Sequence, residues 1–245
     1  MCTLLMTSSS KAEELLVAVA ANFSGPMQEI AEVFTQTQPH KIQLAFGSSG
    51  KFFAQIVNGA PYDLFFSADQ TKPQALIDQN LALTSSRFTY ALGALALWSA
   101  DPLKINNDAS VLVSDNFNKL ALANPKLAPY GLAAMDVLIN MQLMEASQKR
   151  WVQGENIAQT YQFIASGNAD IGFVAVSQIM QNAVLKKGSA WIVPSTLYRP
   201  IKQDAVLLKR SKHLTTAKLF MDFMQGPEAS HIIRSFGYTL EQKQP

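Results

Sequence analysis

Between residues 15 and 70 the chain switches repeatedly between two periodicities, and this switching limits the fold more than any other feature. Residues 15–20 are apolar throughout, as a strand covered on both faces must be. Pro26 stands where a helix would open, a position where its missing N–H is not needed. Met27, Ile30, Ala31 and Phe34 follow at helical spacing. Residues 41–46 alternate polar and apolar like a strand. Gly47-Ser48-Ser49-Gly50 turns the chain, and Phe52, Phe53, Ile56 and Val57 mark a second helix. Asn58-Gly59-Ala60-Pro61 stops that helix, residues 63–66 form a short strand, and Ser67-Ala68-Asp69-Gln70 opens a third helix. Strand–helix units in this succession predict a parallel sheet of the α/β class.

The rest of the chain continues in kind. Residues 90–99 and 118–124 read as strands, as do 171–174, 190–193 and 204–208. Helices are expected after Ala128-Pro129-Tyr130-Gly131 to about Glu145, over 155–166, over 214–224 and over 228–235, the last two parted by Gly226-Pro227. No low-complexity linker and no internal repeat occurs. Two lobes in such a chain would be joined by crossing strands, with 91–98 and 205–208 as the candidates. Residues 1–13 carry a short apolar stretch and a Ser run without a basic start. They read as a signal remnant or a disordered terminus and are set apart from the fold.

Composition excludes several kinds of chemistry. Lys plus Arg is 20 and Asp plus Glu is 18, a net charge of +2 on a chain only 16% charged, so no nucleic-acid partner is implied. The single cysteine, Cys2, removes disulfide frameworks and CxxC metal sites. The three histidines (His40, His213, His231) form no HxxxH or HExxH pattern, and no directly ligated metal is expected. No apolar run reaches the roughly 18–20 residues of a spanning helix. Gly47-Ser48-Ser49-Gly50-Lys51 is neither GxSxG nor GxxxxGK[ST], and no GxGxxG occurs. Trp98, Trp151 and Trp191 read as core or lobe-surface residues, and Lys209-Arg210-Ser211-Lys212 as a solvated turn. Lys51, one turn into its helix, is expected to face solvent.

What remains is anion binding at helix starts, where free N–H groups and the helix dipole favour negative charge. Asn22-Phe23-Ser24-Gly25, Ser48-Ser49-Gly50 and Ser67-Ala68-Asp69 each follow a strand, and in an open α/β sheet the carboxyl ends of the strands are where ligands bind. Ordinary N-capping accounts for any one of these segments equally well. Their place on one rim is what gives the anion reading weight.

Three blocks carry a resemblance. They are Ala18-Val19-Ala20-Ala21-Asn22-Phe23, Phe46-Gly47-Ser48-Ser49-Gly50-Lys51, and the run from Asn58-Gly59-Ala60-Pro61-Tyr62-Asp63 to Ser67-Ala68-Asp69. With Pro129-Tyr130-Gly131, Gly154-Glu155-Asn156-Ile157 and Gly167-Asn168-Ala169-Asp170-Ile171-Gly172, the sequence resembles the molybdate-binding components of molybdate ABC importers, in order over roughly residues 15–240. The resemblance implies a type II periplasmic binding protein. Its two α/β lobes would be 14–90 with 201–245 and 91–200, with a ligand cleft between them. It implies that molybdate or tungstate is held by hydrogen bonds, with no cofactor and no enzyme activity, by a monomer that delivers the anion to a membrane permease. Sulfate, phosphate or a cleft enzyme on the same fold are the alternatives. Carried over by position, Ala21 and Asn22 supply the first helix start, Ser49 a hydroxyl and an N–H, and Ala68 a backbone N–H. From the second lobe come Tyr130 as phenolic donor and the N–H of Ile157. Some members of the family place a tyrosine where this chain has Ala175, which leaves Tyr130 as the phenol here. The leader such an exported protein needs is not intact in residues 1–13.

Overall fold

A computed structural model describes residues 12–114 and 116–241 of the chain. The signal remnant or disordered terminus expected in residues 1–13 falls, up to residue 11, outside the described residues. From the N-terminus, β1 (Glu14–Ala20) runs through a 3-10 turn, Ala21–Phe23, into α1 (Ser24–Thr37), and β2 (Lys41–Gly47) leads to α2 (Ser49–Val57). Then come β3 (Leu64–Phe66), α3 (Thr71–Asp78), β4 (Phe88–Gly93), β5 (Leu95–Ser99), the short α4 (Ser110–Val113) and β6 (Leu120–Ala123). Next are α5 (Pro129–Asn140), α6 (Met144–Gln148), β7 (Trp151–Gly154), α7 (Ile157–Ala165) and β8 (Ile171–Ala175). The chain closes with α8 (Val176–Ile179), the two-residue strands β9 (Met180–Gln181) and β10 (Val184–Leu185), β11 (Ser189–Ile192), β12 (Ile201–Leu207), α9 (Leu214–Met224) and α10 (Pro227–Ser235).

Two five-stranded sheets organise these elements, in the orders β2-β1-β3-β12-β4 and β7-β6-β8-β5-β11. The two orders correspond strand for strand: each sheet has a parallel set of three, then an antiparallel strand, then an outer strand. The expectation of a parallel sheet therefore holds for β1, β2 and β3 and for β6, β7 and β8, and is corrected for β5 and β12. Each of those two arrives from the opposite lobe. It enters its sheet at the cleft and runs away from it, whereas the parallel strands run toward the cleft and end there. The register shows this, with Leu95 at the start of β5 opposite Ala175 at the end of β8.

The run over residues 90–99 does cross between the sheets. It breaks at Ala94, so β4 stays in the first sheet to Gly93 and β5 opens the second. The expected lobe boundary at residue 91 thus falls inside β4. The other expected crossing, at 205–208, is corrected: Ala205, Val206 and Leu207 lie inside the first sheet, paired with β3. The return passes instead between β11 and β12, through the 3-10 turn Ser195–Leu197. The helix expected to follow residues 128–131 and reach about residue 145 begins earlier, at Pro129, and is two helices, because Met141 and Gln142 end α5 and Gln142 takes a positive φ of 60°.

Each sheet is buried between helices. One core gathers Leu15, Val17, Phe23, Phe34, Phe66 and Phe220, and another gathers Leu95, Leu97, Leu120, Leu122, Val137 and Phe173. Trp98 is fully buried and stacks on Tyr161 with ring centroids 4.8 Å apart, while Trp151 and Trp191 are partly buried against the second core. The basic turn at 209–212 is pinned by Ser211, whose Oγ donates to Asp63 Oδ1 at 2.6 Å. No helix among the described residues is long and apolar enough to cross a membrane.

Candidate anion-binding site

The carboxyl ends of the parallel strands of both sheets meet between the lobes. There they line a small cavity, whose walls include Ala21, Asn22, Ser49, Ala68, Tyr130 and Ile157. The structure therefore brings together all six residues singled out in the sequence. The lobes touch around the cavity: Gly50 N–H donates to the Leu127 carbonyl at 2.9 Å, Ser177 Oγ donates to the Asn22 carbonyl at 2.8 Å, and Lys51 Nζ pairs with Glu155 at 2.9 Å. Lys51 was expected to face solvent alone. It is half exposed but reaches across the cleft to a carboxylate on the other lobe.

Local capping decides which N–H groups remain for a ligand. The first N–H groups of a helix have no acceptor within it. In α2, Ser48 is the N-cap and its Oγ accepts from Lys51 N–H at 3.3 Å, while Gly50 N–H goes to Leu127. Ser49, the first residue of the helix, is claimed by neither. In α7 the pattern repeats. Asn156 Oδ1 accepts from Ala158 and Gln159 N–H at 2.9 and 3.0 Å, passing over Ile157. In α2 the cap and the Leu127 carbonyl, and in α7 the cap alone, take the second and third donors and leave the first one beside the cavity. Ala21 and Asn22 open the 3-10 turn after β1 and stand in the same relation to the end of their strand.

One expectation changes at the level of single bonds. The Ala68 N–H, expected to be offered to a ligand, donates instead to Ser49 Oγ at 2.9 Å. That bond occupies a lone pair of the hydroxyl and leaves its proton free, so Ala68 orients Ser49 as a donor. The Asn22 side chain is committed within the protein, Nδ2 donating to Gln203 Oε1 at 2.7 Å and to the Tyr238 hydroxyl at 2.9 Å, which leaves its backbone N–H for the helix-start role.

Tyr130 is fully buried at the second position of α5, behind Pro129. Burial, reinforced by the neighbouring Tyr238 phenol, pushes its pKa well above the ordinary tyrosine value, so it stays a neutral O–H donor. It rests against the crossing strand at Gly93, where an added Cβ would come within 2.2 Å of the Tyr130 hydroxyl. Sequence reasoning missed Gly93, Gln203 and Gln178. The last accepts from Ala175 N–H at 2.9 Å and donates to the Ile157 carbonyl at 3.0 Å, tying the end of β8 to the start of α7. An amide in the middle of a strand or a short helix carries no local signature, so the sequence held no pointer to Gln203 or Gln178. A larger groove of about 410 Å³ adjoins the cavity at Ala68, Ala128 and Pro129. Its cations are already paired, Lys72 with Asp69, Arg199 with Asp136 and Lys202 with Glu241. Of the two helix starts it meets, α3 has its Lys72 N–H taken by Asp69 Oδ1 at 3.0 Å, and α5 opens on Pro129, which has no N–H.

Comparisons with known proteins agree with this geometry. The chain is 45% identical over 237 residues to the molybdate-binding protein ModA of Azotobacter vinelandii, covering 97% of this chain and 94% of that protein. It is 46% identical over 230 residues to the molybdate-binding protein ModA of Rhodobacter capsulatus, covering 94% and 90%. The solved structure of the Azotobacter vinelandii periplasmic molybdate-binding protein superposes with a TM-score of 0.90 at 44% identity, over 93% of this chain and all of that one. The sulfate-binding protein SubI of Mycobacterium tuberculosis shares the fold alone, with a TM-score of 0.74 at 12% identity over 92% of this chain and 86% of that one. The profile of the bacterial extracellular solute-binding proteins matches residues 15–239, and with its two lobes and interlobe cavity the chain belongs to that family.

Proposed function

We propose that this chain captures molybdate, or tungstate, in the interlobe cavity and delivers it to the membrane permease of an ABC importer. The observation that carries this reading is the convergence of helix starts from both lobes, each with its first N–H left free by its cap, with Ser49 and Tyr130, on one cavity whose donors are neutral. The donor set is the N–H groups of Ala21, Asn22, Ser49 and Ile157, with the Ser49 and Tyr130 hydroxyls. Hydrogen bonds to a charged partner contribute about 1.5–3 kcal/mol each. Together such donors exceed the roughly 8 kcal/mol of micromolar affinity before ordering costs are subtracted. A cage closed around the larger molybdate selects against sulfate, because a smaller anion leaves buried donors unpaired at about 1–3 kcal/mol apiece.

The chain works in the periplasm as a monomer, without a cofactor, and its lobes comprise residues 14–93 with 201–241 and residues 94–200. It binds and does not catalyse: the titratable side chain lining the cavity is Tyr130, and burial holds it neutral, away from acid–base work at ordinary pH. Calorimetric titration of the ligand-stripped protein tests this reading, with tight one-to-one binding of molybdate and no sulfate heat as the expected result. Equal sulfate binding would replace the ligand, and silence with both anions would return the helix starts to ordinary capping.

A further inference from the structure

Gln203 lies on β12, fully buried, where the register with β4 shifts between Gln203 and Asp204. Its amide is held from one side. Oε1 accepts from Asn22 Nδ2 at 2.7 Å and from the Tyr90 hydroxyl at 3.0 Å, which turns Nε2 toward the Tyr130 hydroxyl at 3.4 Å. An amide nitrogen donates and cannot accept. The Tyr130 oxygen is therefore the acceptor in that contact, and its own proton must point elsewhere. Gly93 closes the side toward the crossing strand, which leaves the proton two directions: the Tyr238 phenol, a hydrogen-bond partner of Tyr130, and the cavity that Tyr130 lines, where a charged anion is the stronger acceptor.

We propose that Gln203 is a positioning residue that fixes Tyr130 as a donor toward the bound anion, so that the site prefers a fully deprotonated oxyanion. This rests on the oxyanion reading above. A carbonyl or carboxylate in place of Nε2 would reverse the phenol: its proton would turn to the new acceptor and its lone pairs would face the ligand. The amide thus carries selectivity without touching the anion.

A double-mutant cycle on the full chain, read by molybdate titration and thermal melting, tests the assignment. Tyr130→Phe and Gln203→Met are each expected to weaken molybdate binding about tenfold, the loss of one hydrogen bond to a charged ligand. The double variant should bind about as well as either single, because Gln203 acts through Tyr130. Additive losses near a hundredfold, or unchanged affinity in Gln203→Met, would overturn the proposal. Gln203→Glu supplies an independent readout should Gln203→Met fail to fold. Its buried carboxyl titrates above the ordinary range. When protonated it can again donate to Tyr130, so affinity should rise at least about tenfold from pH 8 to pH 6 while the wild type stays flat. A flat profile in Gln203→Glu counts against the assignment. A wild type that binds no molybdate sinks the function reading and this proposal with it, whereas normal wild-type binding with additive losses sinks the proposal alone.

Discussion

Ser49 Oγ accepts the Ala68 N–H and keeps its proton to give, so one side chain ties two strand ends together and serves the ligand. Ser49→Ala removes a donor to a charged partner and strands the buried Ala68 N–H. Molybdate affinity should fall by about 1–3 kcal/mol with a measurable drop in melting temperature, and unchanged affinity would take the second helix start out of the site. Gly93→Ala should act through Tyr130. A methyl group there collides with the phenol and with Gln203 Nε2, 2.8 Å away. Overpacking of this kind costs about 1–3 kcal/mol, and affinity should suffer beyond what the loss of stability explains. Ser49 was legible in the sequence because it sits in a small-residue turn between a strand and a helix. Gly93 was not, because a glycine inside an apolar run reads as a weak strand position until the phenol packed against it is seen.

Among the elements, strands covered on both faces and helices with clear starts were readable from periodicity. β7 was missed because Trp151-Val152-Gln153-Gly154 is too short to show a period. The directions of β5 and β12 were missed because direction is a property of the route between lobes, not of local composition. α2 and α7 face each other across the cleft, and their ends are bridged by the Lys51–Glu155 pair, with side chains 53% and 44% exposed. An ion pair this exposed contributes little. Lys51→Ala should change molybdate affinity less than about threefold, with an effect that fades in high salt. A large, salt-independent loss would show that the cavity depends on formal charge after all.

At the scale of the whole molecule, the cavity between the lobes is small and bridged on several sides, so a ligand enters only when the lobes part. Small-angle scattering should show a more extended ligand-free protein that contracts when molybdate is added; an unchanged profile would contradict closure. Affinity should stay flat from about pH 6 to about pH 9, since the backbone donors and Ser49 do not titrate and burial keeps Tyr130 protonated well past the ordinary tyrosine value. The crossing strands carry a further consequence for the birth of the molecule. β12 lies between β3 and β4, yet it is made more than a hundred residues after either. As the chain leaves the ribosome, the lobe built from residues 94–200 can close on itself, while the first sheet waits with two open edges for a strand that arrives near the end. Non-local pairing of this kind folds slowly, and unpaired edges invite wrong partners. A chain halted after residue 200 should therefore protect the amides of β6 and β8 from exchange but leave those of β3 and β4 open, dividing one protein into an early half and a late half.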